Sequence, residues 1–324
     1  MVGHHVTIGI SLLLVTLVSF GLKFFLTPKC GNFRLRGWAG ALLVLLAECS
    51  LYFAVPWVKT FFTPIVWTGY LLLVDAMVSR LTGQSRLSRS PREFFWLVFW
   101  SCPLWLIFEV YNLRLENWTY IGLPESAIAQ GIGGFWAFAT IWPAIYETAD
   151  LVEALGFVQA RAKHGIAFGR SSRAVIFAMG LLLVTFPVLA PLRIGQYVFG
   201  AVWVGFILLL DPFNYQWKGR SLLRELEEGD TSNLYCFLVA GLVCGILWEF
   251  WNYWAGAKWL YIFPIWQQTK IFEMPLPGFL GFPPFALECF VMYEFVRTAG
   301  KRLAGFRHGS GSQPEACIFL PRES

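Results

Sequence analysis

Apolar residues in this chain do not alternate with polar ones. They run almost unbroken in stretches near the ~20 residues that a helix needs to cross a hydrocarbon core. Such runs occupy residues 7–26, 38–58, 64–80, 94–112, 132–151, 174–190, 195–212, 234–254 and 278–298. Each predicts a membrane-spanning helix, about nine in all, and the expected fold class is all-α: a polytopic membrane helix bundle.

The pattern is written twice. Trp67-Thr-Gly-Tyr-Leu-Leu-Leu-Val-Asp75 returns as Trp203-Val-Gly-Phe-Ile-Leu-Leu-Leu-Asp211. Glu109-Val-Tyr-Asn112 with Trp118-Thr-Tyr120 returns as Glu249-Phe-Trp-Asn252 with Trp259-Leu-Tyr261. The link Gly83-Gln-Ser85 likewise returns as Gly219-Arg-Ser221. Four spans per half is an even number, so the halves are expected to enter the membrane in the same direction, as parallel repeats about an axis along the membrane normal. The expected organisation is an N-terminal helix and inner loop (1–36), a first four-helix repeat (37–171), a second (172–302) and a flexible cytoplasmic tail (303–324).

Composition agrees with a membrane setting: 57% hydrophobic, 14% charged, mean hydropathy +0.58, where soluble domains carry about 25% charge. The first run lacks a basic flank and a small-residue cleavage site, and reads as a retained span rather than a signal peptide. With the N-terminus outside, 20 of the 25 Lys and Arg fall in inner segments, including Arg161, Lys163 and Arg322. That is the positive-inside arrangement, N-out and C-in, as in a bacterial inner membrane protein. The net charge of +5 is then a topology signal, and no basic stripe with interleaved aromatics points to nucleic acid. The seven cysteines are scattered singly, without the spacing of a disulfide framework or thiolate metal site.

Four carboxylates lie within or beside these runs as matched pairs, Glu109 with Glu147 and Glu249 with Glu288. A charge at the centre of a membrane helix costs roughly 2.5 to 3.5 kcal/mol, so each is a candidate functional group. Their structural alternative is a neutral acid hydrogen-bonded across helices. Asn252 shares a helix face with Glu249 and is expected to orient a carboxyl group; Asn112 is its counterpart. Trp118, Tyr120, Trp248, Trp251, Trp259 and Tyr261 are expected to face a ligand, although Trp and Tyr here also fit an interfacial aromatic belt. The matched order Asn, Trp-x-Tyr, Pro favours a built site, since a belt needs depth and not order. Asp75 and Asp211, near the basic loops, read as Arg partners or caps, and Glu48 has no counterpart.

No histidine lies within a span, so no metal or haem ligand set is indicated there, and no cofactor is expected. Gly131-Ile-Gly-Gly134 lacks the Lys-Ser/Thr of a phosphate loop. Asn117-Trp-Thr119 is a formal glycosylation sequon, a pattern too common to carry a reading. What remains is acids, amides and π faces in an apolar bundle, an inventory suited to protonating a double bond and attracting the resulting cation.

The second half resembles the membrane-embedded lycopene cyclases of the heterodimeric or fused type. Those proteins also have two related multi-helix halves with a Trp-acid-Asn-Tyr segment, a Trp-x-Tyr and a Pro-Leu element. The matching residues are Trp248-Glu249, Asn252-Tyr253, Trp259-Leu-Tyr261, Phe272 and Met274-Pro275-Leu276, and in the first half Glu109, Asn112, Trp118 and Tyr120. In that family a pair of glutamates directly follows Pro-Leu; here a single Glu288 stands twelve positions after Leu276. The resemblance implies carotenoid or related isoprenoid chemistry without an obligatory redox change. Glu249 and Glu288 are then expected to act as acid and base. The rival expectations are a proton-coupled transporter, against which the scarcity of polar residues in the helices speaks, and a non-catalytic lipid-binding scaffold.

Overall fold

The structure, a computed structural model, describes residues 3–158, 160 and 165–307. Arg161, Lys163 and Arg322, used above as topology markers, and the tail from 308 onward lie outside the described residues. The chain is a polytopic helical membrane protein. Among the described residues, eight helices are long and apolar enough to span a bilayer, and nine if one bent pair counts as a single span.

Helix α1 (His4–Leu26) is followed by α2 (Leu35–Tyr52), the short α3 (Pro56–Thr60), α4 (Phe62–Thr82), the single turn α5 (Arg86–Arg89) and α6 (Pro91–Leu115). Strand β1 (Trp118–Ile121) leads to α7 (Ala127–Ala139) and α8 (Ile141–Ala154). The second half holds α9 (Arg170–Leu189), α10 (Leu192–Val198), α11 (Gly200–Gln216), α12 (Leu222–Glu228) and α13 (Ser232–Trp254). Strands β2 (Lys258–Tyr261), β3 (Lys270–Ile271) and β4 (Met274–Pro275), a 3-10 turn (Leu276–Gly281) and α14 (Phe282–Arg307) complete it. The bent pair is α10 and α11, set 69° apart at Phe199.

Three expectations change. The apolar run 132–151 is divided at Thr140 between α7 and α8. Residues 303–307, expected in the tail, continue α14. The segments after α6 and α13, for which no strand was expected, contain short ones, and β1 pairs with β2 across the two halves.

Close packing is repeated where the motifs repeat. A methyl group at Gly40 of α2 would meet the Gly69 carbonyl of α4, and one at Gly180 of α9 would meet the backbone of Leu208 and Leu209 of α11. Small residues that let helix backbones touch drive association in lipid, where burying apolar surface brings little gain. Within the halves, α8 packs on α4 and α14 packs on α11 and α13; between them, α8 packs on α13. Trp142, Tyr146, Phe237 and Phe290 fill the centre. The Trp142 indole donates to the Cys289 carbonyl at 2.9 Å, and so ties α8 to α14. Helix α1 lies outside this core against α13 and β3, with Leu14, Val15 and Leu22 exposed as a lipid-facing helix requires.

Asp75 and Asp211 lie in the C-terminal halves of the matched helices α4 and α11 and are engaged in similar ways. Asp75 pairs with Arg36 and accepts from the Leu87 N–H. Asp211 accepts from Ser221 Oγ at 2.9 Å and from the N–H groups of Leu222 and Leu223 at 3.1 and 2.8 Å. Both carboxylates thus collect free N–H groups that open the next short helix. Ser85 and Ser221 are the N-cap residues of those helices.

The segment after Asp211 contains a titrating group. Burial pushes the Glu225 carboxyl of α12 up to about 7, with Arg220 and the Asn233 amide only partly offsetting it. A folded value above the unfolded one of about 4.3 means that the folded chain holds this proton more tightly. The contribution of Glu225 to stability is therefore complete below about pH 4.3 and is lost as pH rises through about 7. Melting temperatures in detergent are expected to fall over that window in the wild type and to fall less in Glu225→Gln.

Candidate functional site

The two strands after the matched helices α6 and α13 build the site. They pair antiparallel, Trp118 opposite Tyr261 and Tyr120 opposite Trp259. Each Trp therefore faces the counterpart of the Tyr two positions along its own strand, and Thr119 faces its own counterpart Leu260, the register that a twofold axis through the ladder produces. Directly opposed residues share a face of the ladder, so all four aromatics stand on one side. These four side chains line a cavity of about 680 Å³.

The strands hold their place through Asn112 and Asn252. Asn112 Nδ2 donates to the Trp118 carbonyl at 2.9 Å, while its Oδ1 accepts from the N–H groups of Asn117 and Trp118 at 2.8 and 3.1 Å. Asn252 repeats this on Trp259, donating to the carbonyl at 2.9 Å and accepting from the N–H at 3.0 Å. Asn252 was expected to orient a carboxyl group. It does so only at second hand, by fixing the strand whose Tyr261 reaches Glu249.

Both matched glutamates receive hydrogen bonds from the aromatics of their own half. Glu109 Oε1 accepts from the indoles of Trp105 and Trp118 at 2.9 and 3.3 Å and from the Tyr120 hydroxyl at 2.5 Å. Glu249 Oε1 accepts from the Tyr261 hydroxyl at 2.8 Å, and that hydroxyl accepts from the Trp259 indole at 2.8 Å. Glu249 is fully buried, and its Oε2 has no hydrogen-bond partner among the described residues. These two glutamates are not part of the cavity wall, which Tyr120, Tyr261, Trp118 and Trp259 help to form instead.

Glu147 and Glu288 are also fully buried, and neither oxygen of either has a hydrogen-bond partner among the described residues. Neither lines the cavity. Glu288 and Glu249 therefore do not converge on the space as an acid and base pair. Trp248 lines it as expected, but Trp251 does not: it packs on Trp67 with ring centres 4.9 Å apart and donates to Glu48 at 2.8 Å. That bond gives Glu48, which has no counterpart in the second half, a partner across the halves.

The remaining lining comes from both halves, and its aromatic members include Trp67 and Phe108 from the first and Phe199, Trp203 and Phe285 from the second. Trp67 and Trp203 were not expected as site residues, although both open the repeated Trp-x-Gly motif and that repetition was the signal that could have marked them. Gly131, Gly133 and Gly134 of α7 line the cavity too; the first of them has open space beside its Cα, so α7 forms a low wall there. No three His, Cys, Asp or Glu side chains cluster in metal-binding range among the described residues. Compared with known proteins, the chain matches no family model, no curated protein and no solved structure.

Because each asparagine amide satisfies several backbone groups at once, Asn252→Ala leaves the Trp259 N–H and C=O without this partner. A loss of about 1 to 3 kcal/mol is expected. Thermal unfolding in detergent measures it, and Asn112→Ala is expected to show a similar loss on the other strand.

Proposed function

We propose that this protein binds an elongated isoprenoid in the aromatic cavity between its halves and rearranges it by proton-initiated chemistry. The observation that carries the reading is the cavity itself. It has the size of small-molecule sites, which run from about 300 to 1,000 Å³, and its wall is mostly apolar and rich in indole and phenyl groups, with carboxyls one hydrogen bond behind.

In this reading Glu249 is the acid and Tyr261 carries its proton forward. In its acid form the carboxyl donates to the tyrosine hydroxyl, which gives up its own proton to a double bond as it takes the new one. The acid strength in play is then that of the carboxyl. The π electrons of the double bond form the new C–H bond, and the cationic carbon is held by the faces of Trp67, Trp203 and Trp248. A second double bond attacks it to close a ring, and loss of a proton from the neighbouring carbon to the Tyr120–Glu109 pair restores neutrality. The net change is an isomerisation in which no electrons leave the substrate, so no redox cofactor takes part. The same reading places the chain in a bacterial inner membrane with its N-terminus outside and its C-terminus in the cytoplasm, supported by the distribution of Lys and Arg.

A proton-coupled carrier is the rival, and Glu147 and Glu288 favour it, since buried carboxyls are what a proton path uses. Against it stands the cavity wall, which is too apolar to pass a hydrated solute.

Purified protein incubated with acyclic isoprenoids, lycopene and geranylgeraniol among them, is expected to yield cyclic isomers of unchanged mass. Glu249→Gln is expected to lower turnover about 100-fold or more, with binding retained, and Tyr261→Phe to lower it similarly. Full turnover in Glu249→Gln would sink the acid assignment. No product from any member of the panel, with the chain shown intact, would remove the enzyme reading and put the carrier first.

A further inference from the structure

One polar side chain in the cavity wall stands apart. Asn117, the residue before Trp118, is 1% exposed, lines the cavity, and has no hydrogen-bond partner for either its Oδ1 or its Nδ2 among the described residues. Its backbone is fully engaged: the N–H donates to Asn112, and the carbonyl accepts from Ile262 and Phe263 at 2.9 and 3.2 Å. The chain therefore pins the backbone of this residue, while its amide, closed off from water-sized contact, has no partner and meets a ligand only by turning into the cavity. Buried amides are nearly always hydrogen-bonded, and one that is not calls for an explanation. Glycan attachment at the sequon is not that explanation, because the amide is inside the protein.

Several other polar groups of the cavity wall are already committed. Lys258, which occupies the corresponding place before Trp259, pairs with Glu273 at 2.5 Å and donates to the Tyr253 carbonyl. Gln130 donates to the Pro124 carbonyl at 2.7 Å, and Tyr120 and Tyr261 donate to the two glutamates. An anionic end group would need a cation, and Lys258, which lines the cavity, already has its counter-charge. An amide with a donor and an acceptor both unmet suits a neutral group that can accept and donate at once, which a hydroxyl does and a hydrocarbon end does not.

We infer that the ligand of this cavity carries a neutral oxygen at one end, a hydroxyl, which docks on the side-chain amide of Asn117 while the isoprenoid body lies against the indoles. The inference rests on reading the cavity as an isoprenoid site and narrows it to an alcohol. Thr63 and Trp67 of α4 line the same cavity, each with a polar atom that has no hydrogen-bond partner among the described residues, and so add capacity for a polar end.

The test is a pair of polyenes that differ only in the hydroxyl: retinol and deoxyretinol. Binding of each to purified protein in detergent is read from quenching of tryptophan fluorescence, for the wild type and for Asn117→Leu. The ratio of the two affinities in the wild type divided by the same ratio in the variant cancels partition into micelles. One satisfied hydrogen bond predicts a ratio of ratios of about ten in favour of the alcohol. Because the amide has no partner to lose, Asn117→Leu is expected to melt no lower than the wild type. Should it fail to fold, Asn117→Ala, which adds no bulk, gives the same ratio. Equal preference in wild type and variant overturns the inference and leaves the isoprenoid reading standing; an ordered water as the amide's usual partner predicts that result. No quenching by either polyene in the wild type overturns both.

Discussion

Beside lipid, a chain that leaves the helix must still find a partner for every backbone N–H and C=O, because hydrocarbon supplies none. Asn112 and Asn252 meet that demand here. Each sits near the end of a long helix and sends its amide forward onto the first residues of the strand beyond. The strands then satisfy one another across the two halves. The candidate site follows from this arrangement. The four aromatics share one face only because the strands are in register, and the tyrosines reach Glu109 and Glu249 only because each strand is tied to its own helix.

The matched halves are alike where they hold the chain together and unlike where they meet the surroundings. Glycine contacts between the first two helices of each half, the aspartate in the C-terminal half of the second, and the asparagine near the end of the third recur. The segment after the strand does not. In the first half it is α7, whose Ile128, Ile132 and Phe135 are exposed as lipid-facing side chains are. In the second it folds into β3, β4 and a 3-10 turn, with Phe272 held in a left-handed conformation (φ 55°) against Gly9 of α1. Helix α1 has no counterpart in the repeat, and it covers the second half on this side. The cavity wall is thin beside α7, where three glycines reduce it to backbone.

Hydrophobic run length made the helices legible, because a bilayer demands continuous apolar surface over a known distance. It did not show the break at Thr140, since apolar residues continue directly on both sides of it. The importance of Glu109, Asn112, Glu249 and Asn252 was legible from their repetition, but the role of the asparagines was not. A shared helix face pairs Asn252 with Glu249, whereas the amide reaches forward along the chain to Trp259, a contact that helical periodicity does not describe. The pairing of Trp118 with Tyr261 joins residues from opposite halves, and such long-range strand pairing leaves no local trace. The same holds for Trp251 and Glu48, where a carboxylate without a sequence counterpart finds an indole from the other half.

Burying a carboxyl group is costly in any protein interior, and this bundle treats its two matched pairs in different ways. Glu109 and Glu249 are held by tyrosine and tryptophan donors that themselves form the cavity wall, so their hydrogen bonds couple the acid to whatever the wall touches. Glu147 and Glu288 receive no hydrogen bond from the described residues and lie away from that wall. If all four served only to fix the bundle, donors would be expected at each, since an acid strengthens helix packing only through the bonds it makes. The division between acids held by donors of the cavity wall and core acids with no hydrogen bond among the described residues is therefore what the proposed reading calls for, in which the first pair, Glu109 and Glu249, acts on a ligand only through the wall tyrosines. It also separates the second pair from that wall, despite the matched positions that first grouped the four together.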